Sequence, residues 1–162
     1  MGIASATRTV PVAPAVAEAC WYDTGAWPTW VEGLEEVVAV EDDWPHAGGT
    51  VTWQSAPAGR GRVTERVVLF DPGGGHTVDV QDDSIRGRQT VTFEPAESGA
   101  RITLRLQYDI RAASLITPLI DALFVRRAMK ASLGHTLEHF AVHCTASAPG
   151  TGDGAEGGLT TS

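Results

Sequence analysis

The sequence predicts an α+β domain in which one long C-terminal helix packs across an antiparallel sheet of about seven strands. Apolar and polar residues alternate through the middle of the chain, five turn-forming segments interrupt the alternation, and a helical period follows it. The chain has 162 residues, which suits one domain. We therefore assign residues 1–145 to one domain and the glycine-rich residues 146–162 to a flexible C-terminal tail.

The first thirty residues are predicted to form one strand and two short helices. The strand is expected over Thr7–Val12, and Pro14 then suits the first turn of a helix that continues over Ala15–Tyr22. Asp23-Thr24-Gly25 ends this helix. A second helical turn follows from Ala26 to Val31.

Residues 34–111 show a period of two, which predicts strands. Turn signals fall at residues 44–49, 56–59, 71–75, 82–84 and 95–99. These five turns separate six strands. Because the connections are too short for crossover helices, neighbouring strands must pair antiparallel as a meander. The N-terminal strand brings the sheet to about seven strands.

The last element is a predicted helix from Pro118 to Thr145, with Thr117 as its N-cap. At 1.5 Å per residue this helix would be about 42 Å long, enough to cross the sheet. Its apolar stripe keeps a helical period and should face the sheet. The stripe consists of Leu115, Leu119, Ala122, Leu123, Met129, Leu133, Leu137, Phe140 and Cys144.

Charge and composition exclude several classes of partner. The chain has 12 basic and 20 acidic residues, a net charge of −8, so an anionic membrane or a nucleic acid is a poor partner. No apolar stretch approaches the ~20 residues of a spanning helix, and we expect no membrane insertion. We expect a cytoplasmic protein, a monomer or homodimer, in which Cys20 and Cys144 stay as free thiols rather than a disulfide.

The order of these elements resembles the polyketide cyclase/dehydrase-like family of the START and Bet v 1-like superfamily. The resemblance rests on residues 10–14 before the first helix, Asp23 followed by Trp30, residues 61–67 before Asp71-Pro72, and residues 99–104 before the last strand. It implies a helix-grip fold, in which a curved sheet wraps around the C-terminal helix. It also implies a cavity between sheet and helix for a small hydrophobic or aromatic ligand, with few shared catalytic residues.

Strand alternation identifies polar side chains that should face the long helix. Glu65, Gln89 and Tyr108 share the parity of their apolar neighbours, and His76 and Asp82 lie at strand ends. A carboxylate among apolar neighbours costs several kcal/mol unless it is paired or protonated, so Glu65 requires an explanation. Gln89 and Tyr108 are candidates to orient a ligand carbonyl or hydroxyl, the alternative being a tyrosine hydroxyl satisfied by backbone.

Arg126 lies on the helical stripe and is the predicted partner of Glu65. The Glu65–Arg126 pair is the main hypothesis for a catalytic site, with Tyr108 as a third member. The alternative is that Glu65 lies near an exposed sheet edge and that Arg126 extends its head group to water. Leu123 and Met129 flank Arg126 on the stripe and are expected to line the ligand site.

Three tryptophans complete the expected binding residues. Trp27 and Trp30 lie three apart on the second short helix, which resembles the cavity mouth of the family, and Trp53 is on an inward-facing strand position. Their flat rings suit an aromatic or polyene ligand. Core packing is the competing explanation for each.

His135-Thr136-Leu137-Glu138-His139 matches the H-x-x-E-H motif of inverted zinc peptidases. A third protein ligand should follow downstream, yet only residues 140–162 remain. His135, His139 and His143 also lie on the side of the helix opposite the apolar stripe, so this ladder is expected on a solvent face, where it would at most take up adventitious nickel or zinc. We therefore predict no catalytic metal and no cofactor, and no phosphate-binding loop is present in the sequence.

These observations favour a protein that binds an apolar or amphipathic molecule, polyketide-, aromatic- or lipid-like. If it is an enzyme for cyclisation or dehydration, Glu65 would move a proton and Arg126 or Tyr108 would stabilise an enolate oxygen. One alternative is a non-catalytic lipid or quinone carrier. Another is a protein-interaction module like the Hsp90-activating relatives of this fold, which predicts an exposed apolar patch near Trp27 and a filled interior.

Overall fold

Seven strands, one short 3-10 helix and two α-helices form the part of the chain that the computed structural model describes, residues 1–111 and 118–148. In chain order they are β1 (Gly2–Val10), α1 (Pro14–Tyr22), the 3-10 helix (Thr24–Thr29), β2 (Leu34–Val40), β3 (Thr50–Ser55), β4 (Arg62–Asp71), β5 (Gly75–Gln81), β6 (Ile85–Ala96), β7 (Gly99–Ile110) and α2 (Pro118–Ser147). Leu115, the Thr117 cap and the tail from residue 149 onward lie outside the described residues, as do the side chains of residues 118–122.

The strands form one antiparallel sheet in the order β1-β7-β6-β5-β4-β3-β2. This confirms the predicted meander of six strands, to which β1 adds a seventh strand beside β7. The first strand differs from its prediction, because it begins at Gly2, pairs along β7 from Gly2↔Tyr108 to Val10↔Ala100, and ends at Val10. Its inward positions Ala4 and Ala6 are small, so the apolar alternation that marks the other strands is weak here.

The apolar residues that share the inward parity of their strands are expected on the helix-facing side, and all but two are buried there. The buried members are Val51, Trp53, Val63, Val67, Val78, Val80, Val91, Phe93, Ile102, Leu104, Leu106 and Tyr108. Leu69 and Ile110 have the same parity but are exposed, at 60% and 43%. A register shift between Val67 and Leu69 reverses the parity of β4, as a bulge does.

Helix α2 packs on the sheet through its C-terminal half. Leu133, Leu137, Phe140 and Cys144 are buried, as the stripe predicted. Leu123 was also expected to face the sheet but is 54% exposed, so the described stripe covers only the second half of the helix. No helix among the described residues is long and apolar enough to span a membrane.

His76 is buried at the start of β5 among aromatic rings. Its ring centroid lies 5.0 Å from that of Tyr22 and 5.3 Å from that of Trp44. Nδ1 has no hydrogen-bond partner among the described residues. Burial lowers the pKa of the imidazole from 6.5 to about 4, so His76 is neutral in the folded state at pH 7.

The low pKa of His76 makes stability depend on pH. The unfolded chain takes up a proton below its ordinary pKa of 6.5 while the folded chain does not until about 4. Stability is therefore lost as pH falls through that range, by roughly 3 kcal/mol. We expect His76→Phe to remove this loss in urea unfolding measured at pH 7.0, 5.5 and 4.5. The same pH dependence in both proteins would contradict the assignment.

Candidate functional site

A small interior hollow lies between the inner face of the sheet and α2. Its volume is about 50 Å³. We call this space the hollow; its walls are Trp21, Trp27, Trp30, Val31, Glu32, Trp53, Arg60, Glu65, Gln89, Leu104, Ser132, Leu133 and Thr136. Four tryptophans fill most of the interior around one carboxyl group, so the space left between them is about that of one or two water molecules.

Glu65 is the buried carboxyl group of the hollow, 7% exposed on β4. Val51 lies directly opposite it on β3, which places Trp53 at the diagonal position on the same face. The indole Nε1 of Trp53 donates a hydrogen bond of 2.9 Å to Oε1 of Glu65. Burial raises the pKa of Glu65 above its ordinary value, and both this hydrogen bond and the charge of Arg60 act against the rise.

Arg60, at the end of the β3–β4 connection, is the cation beside Glu65. Its Nε donates to Oδ2 of Asp82 at 2.6 Å, and its guanidinium lies 5.7 Å from the ring centroid of Trp53. Asp82 is held in place by backbone N–H groups of Ser84 and Ile85. Nη2 of Arg60 is buried without a partner among the described residues, which leaves one donor free.

Trp30 contributes a second free donor to the walls of the hollow. The residue is 1% exposed and packs between Trp21 and Phe140, with ring centroids 4.8 and 4.9 Å away. Its Nε1 has no acceptor in the described part of the chain, whereas Nε1 of Trp27 donates to the carbonyl oxygen of Trp21 at 2.8 Å. A buried unpaired N–H costs free energy, so an acceptor on a ligand would be stabilised here.

The structure does not bring the predicted trio of Glu65, Arg126 and Tyr108 together. Glu65 and Tyr108 lie in one row across the sheet, through Val80 and Gly87, but three strand spacings separate them, roughly 14 Å. Arg126 is exposed and lies near Tyr108, where its charge opposes the rise that burial causes in the pKa of that phenol. The expected Glu65–Arg126 pair is therefore wrong, and Arg60 takes the place of Arg126.

The helical register of α2 explains this correction. The residues of α2 over the hollow are Ser132, Leu133 and Thr136. They lie six to ten residues after Arg126, the predicted partner of Glu65. Met129 is partly buried against the core, and neither it nor the exposed Leu123 lines the hollow. Sequence alternation located Glu65 and the inward-facing Gln89 and Trp53, and the tryptophan spacing located Trp27 and Trp30. Sequence alternation did not identify Arg60, because this residue follows a predicted turn, where no strand or helix period indicates which way a side chain points.

A wider recess adjoins the hollow on its outer side. This outer recess, about 300 Å³, is lined by the β3–β4 connection, Gly33 and the turns of α2 around Ala128, Ala131 and His135. The two spaces share four wall residues, which are Glu32, Trp53, Arg60 and Ser132. Arg60 and Trp53 thus separate a solvent-facing recess from the buried carboxyl. A larger groove of about 670 Å³ lies on the outer face of the sheet, away from these groups.

The raised pKa of Glu65 predicts a second pH effect. The folded state binds the carboxyl proton more tightly than the unfolded state, so this stability is present below pH 4.5 and lost as pH rises through the folded pKa. We expect the wild-type free energy of unfolding to fall relative to that of Glu65→Gln as pH rises above 4.5, in a series of urea titrations. Glu36→Gln, on the exposed part of β2, is the control without this difference.

Comparison with known proteins identifies the family. Residues 1–145 match the model of a family described as polyketide cyclase/dehydrase and lipid transport. No curated protein matches the chain.

Solved structures share the fold at low identity. The Zhui aromatase/cyclase of a Streptomyces species superposes with a TM-score of 0.70 at 15% identity, covering 93% of this chain and 97% of its own. The di-domain aromatase/cyclase StfQ of the steffimycin biosynthetic pathway gives 0.73 at 16%, covering 90% and 51%. Norcoclaurine synthase from Thalictrum flavum, solved with dopamine and hydroxybenzaldehyde, gives 0.66 at 10%, covering 91% and 88%. With the helix-grip architecture and the family match over 145 residues, the chain belongs to the polyketide cyclase/dehydrase and lipid transport family.

Proposed function

We propose that this protein binds an apolar or amphipathic small molecule, polyketide-, aromatic- or lipid-like, at the hollow and the outer recess. The observation that carries the proposal is the buried carboxyl of Glu65, enclosed by tryptophan rings and accompanied by two donors, Trp30 Nε1 and Arg60 Nη2, that have no partner within residues 1–111 and 118–148. Apolar walls with a few convergent polar groups are the usual composition of a small-molecule site. The family match supports the same class of ligand.

The small volume of the hollow sets how such a ligand would bind. Ligand sites usually measure about 300–1,000 Å³, so the hollow alone holds only the polar end of a molecule. The outer recess supplies the remaining space, and Arg60 lies between the two. We infer that the apolar body of the ligand occupies the recess and that Arg60 moves aside, or binds the polar end, when the ligand enters.

The same groups support cyclisation chemistry. The ionised Glu65 would remove a proton from the carbon between two carbonyls, giving an enolate whose oxygen accepts from Arg60 and Trp30. The enolate carbon would attack a second carbonyl of the same chain, and protonated Glu65 would return its proton to the new alkoxide. Loss of water then completes a dehydration without any further reactant. Tyr108 and Arg126 are too far from Glu65 to act in this step.

Two alternatives remain as outcomes of the test. A lipid or quinone carrier would use the same site without turnover. A protein-interaction module is favoured by the nearly filled interior, but it also requires an exposed apolar patch near Trp27. Trp27 itself is only 3% exposed, and the surface recess beside Thr29 contains one large exposed apolar side chain, Val142. We therefore place ligand binding first.

Native mass spectrometry of the protein as purified, followed by denaturing extraction, tests ligand binding directly. We expect one apolar molecule per chain, and the extracted compound gives the class to assay. A clean mass without ligand, together with unchanged tryptophan fluorescence on adding fatty acids, naphthols and polyenes, would contradict the proposal and favour the interaction module.

Turnover separates enzyme from carrier once the ligand class is known. With a ligand that carries two carbonyls in 1,3-relation, we expect Glu65→Gln to lower the rate of cyclisation by about 10²–10⁴-fold. The substitution keeps an oxygen that can accept from Trp53, so binding should persist. Glu36→Gln is the matched control and should cyclise at the wild-type rate. Equal rates in the wild type and Glu65→Gln would assign the protein to the carrier class.

A further inference from the structure

Two histidines of α2 and one glutamate face each other at the rim of the outer recess. Nδ1 of His135 lies 3.8 Å from Oε1 of Glu32, and Nδ1 of His139 lies 3.7 Å from Oε2 of the same carboxylate. His135 and His139 are four residues apart, so they project from one face of the helix. Both imidazoles are about half exposed, at 58% and 52%, and are open to solvent.

Glu32 is anchored to the helix independently of its carboxylate. Its backbone N–H donates to Oγ1 of Thr136 at 3.0 Å, and Thr136 lies between the two histidines in sequence and is buried. Glu32 also belongs to the segment that joins the 3-10 helix to β2 and lines both the hollow and the outer recess. The backbone of Glu32 is therefore held beside the two histidines, and its carboxylate, 40% exposed, lies opposite both imidazoles.

We propose that Glu32, His135 and His139 form a binding site for a divalent transition-metal ion of the zinc class. Two imidazoles and one carboxylate are a ligand set that zinc and its neighbours accept, while magnesium and calcium prefer all-oxygen sites. A bound ion would occupy the space between the carboxylate and the two rings, with water completing its coordination.

The free structure is close to this geometry without being closed. Two ligand atoms of a tetrahedral zinc site lie about 3.4 Å apart, slightly less than the 3.7 and 3.8 Å seen here. Among the described residues, no group of three His, Cys, Asp or Glu side chains is arranged so that it could already hold a metal ion. Rotation of the exposed imidazoles and of the Glu32 side chain, which is 40% exposed, would bring the three groups to coordination distance.

A metal ion bound here would stabilise the rim of the outer recess. It would link the segment around Glu32 to α2, in addition to the hydrogen bond that the Glu32 N–H donates to Thr136. The sequence motif H-x-x-E-H is not the basis of this site, because Glu138 takes no part and the carboxylate comes from a different element. The third ligand lies more than a hundred residues upstream of the histidines, so no local motif identifies it.

Calorimetric titration of zinc into chelator-treated, tag-free protein at pH 7.5 tests the proposal. We expect one zinc per chain and no comparable binding of magnesium. Loss of an outer-shell partner already costs ~10–100-fold in metal affinity, so Glu32→Gln and His139→Ala should each weaken binding by at least about tenfold.

His143→Ala is the matched control, since it removes the next histidine on the same side of α2. Nδ1 of His143 lies 3.5 Å from Oγ1 of Thr29, so this ring faces Thr29 rather than Glu32. Zinc affinity should be unchanged in this variant. Circular dichroism spectra should show that all variants fold.

Amide hydrogen exchange gives a second readout. Zinc should slow exchange in residues 31–34 of the wild type, because it links this segment to α2, and should not do so in Glu32→Gln. Three results would overturn the proposal: no zinc binding, full affinity in Glu32→Gln, or equal weakening in His143→Ala. The last two would assign any binding to the surface histidine ladder alone.

Discussion

The contact of Phe140 with Trp21 and Trp30 holds the three helical segments onto the sheet. Ring centroids lie 5.1 Å apart for Trp21 and Phe140, 4.9 Å for Trp30 and Phe140, and 4.8 Å for the two tryptophans. Such aromatic pairs contribute about 0.5–1.5 kcal/mol each beyond the area they bury. Because α1, the segment after the 3-10 helix and α2 contact one another through these three rings, we infer that the cluster fixes how α2 crosses the sheet.

The position of α2 then determines what faces Glu65. One turn before Phe140, Oγ1 of Thr136 accepts a hydrogen bond from the backbone N–H of Glu32. About one turn before Thr136, Ser132 and Leu133 cover the hollow. The helix therefore presents no cation to the buried carboxyl, and the charge that opposes its raised pKa comes from Arg60 at the end of a loop. The sheet therefore buries Glu65 and supplies its hydrogen-bond donor, Trp53 on β3, whereas a loop supplies the cation, Arg60.

This division explains what the sequence could predict. Alternation needs only local spacing, so the strands, the meander and the inward direction of Glu65, Gln89 and Trp53 were all predictable. Alternation failed at Leu69, where a bulge changes the period, and could not apply to Arg60, which follows a turn. The Glu65–Arg126 pair failed for a different reason, because the position of α2 along the sheet is set by Phe140 and the tryptophans, contacts between segments more than a hundred residues apart.

The energetics of Arg60 allow a nearly filled interior to serve as a binding site. When Arg60 leaves Asp82, Oδ1 of that carboxylate keeps the N–H groups of Ser84 and Ile85, while Oδ2 loses its partner and the Arg60 side chain, already one-third exposed, gains water. Because the Asp82 carboxylate is buried, this loss costs about 3–5 kcal/mol. An equilibrium of that size leaves an open form at well below about one per cent, which a ligand can select only by binding that form more tightly. On the proposed function, the tryptophans therefore stay densely packed, and entry of a ligand requires movement of Arg60 rather than of the core.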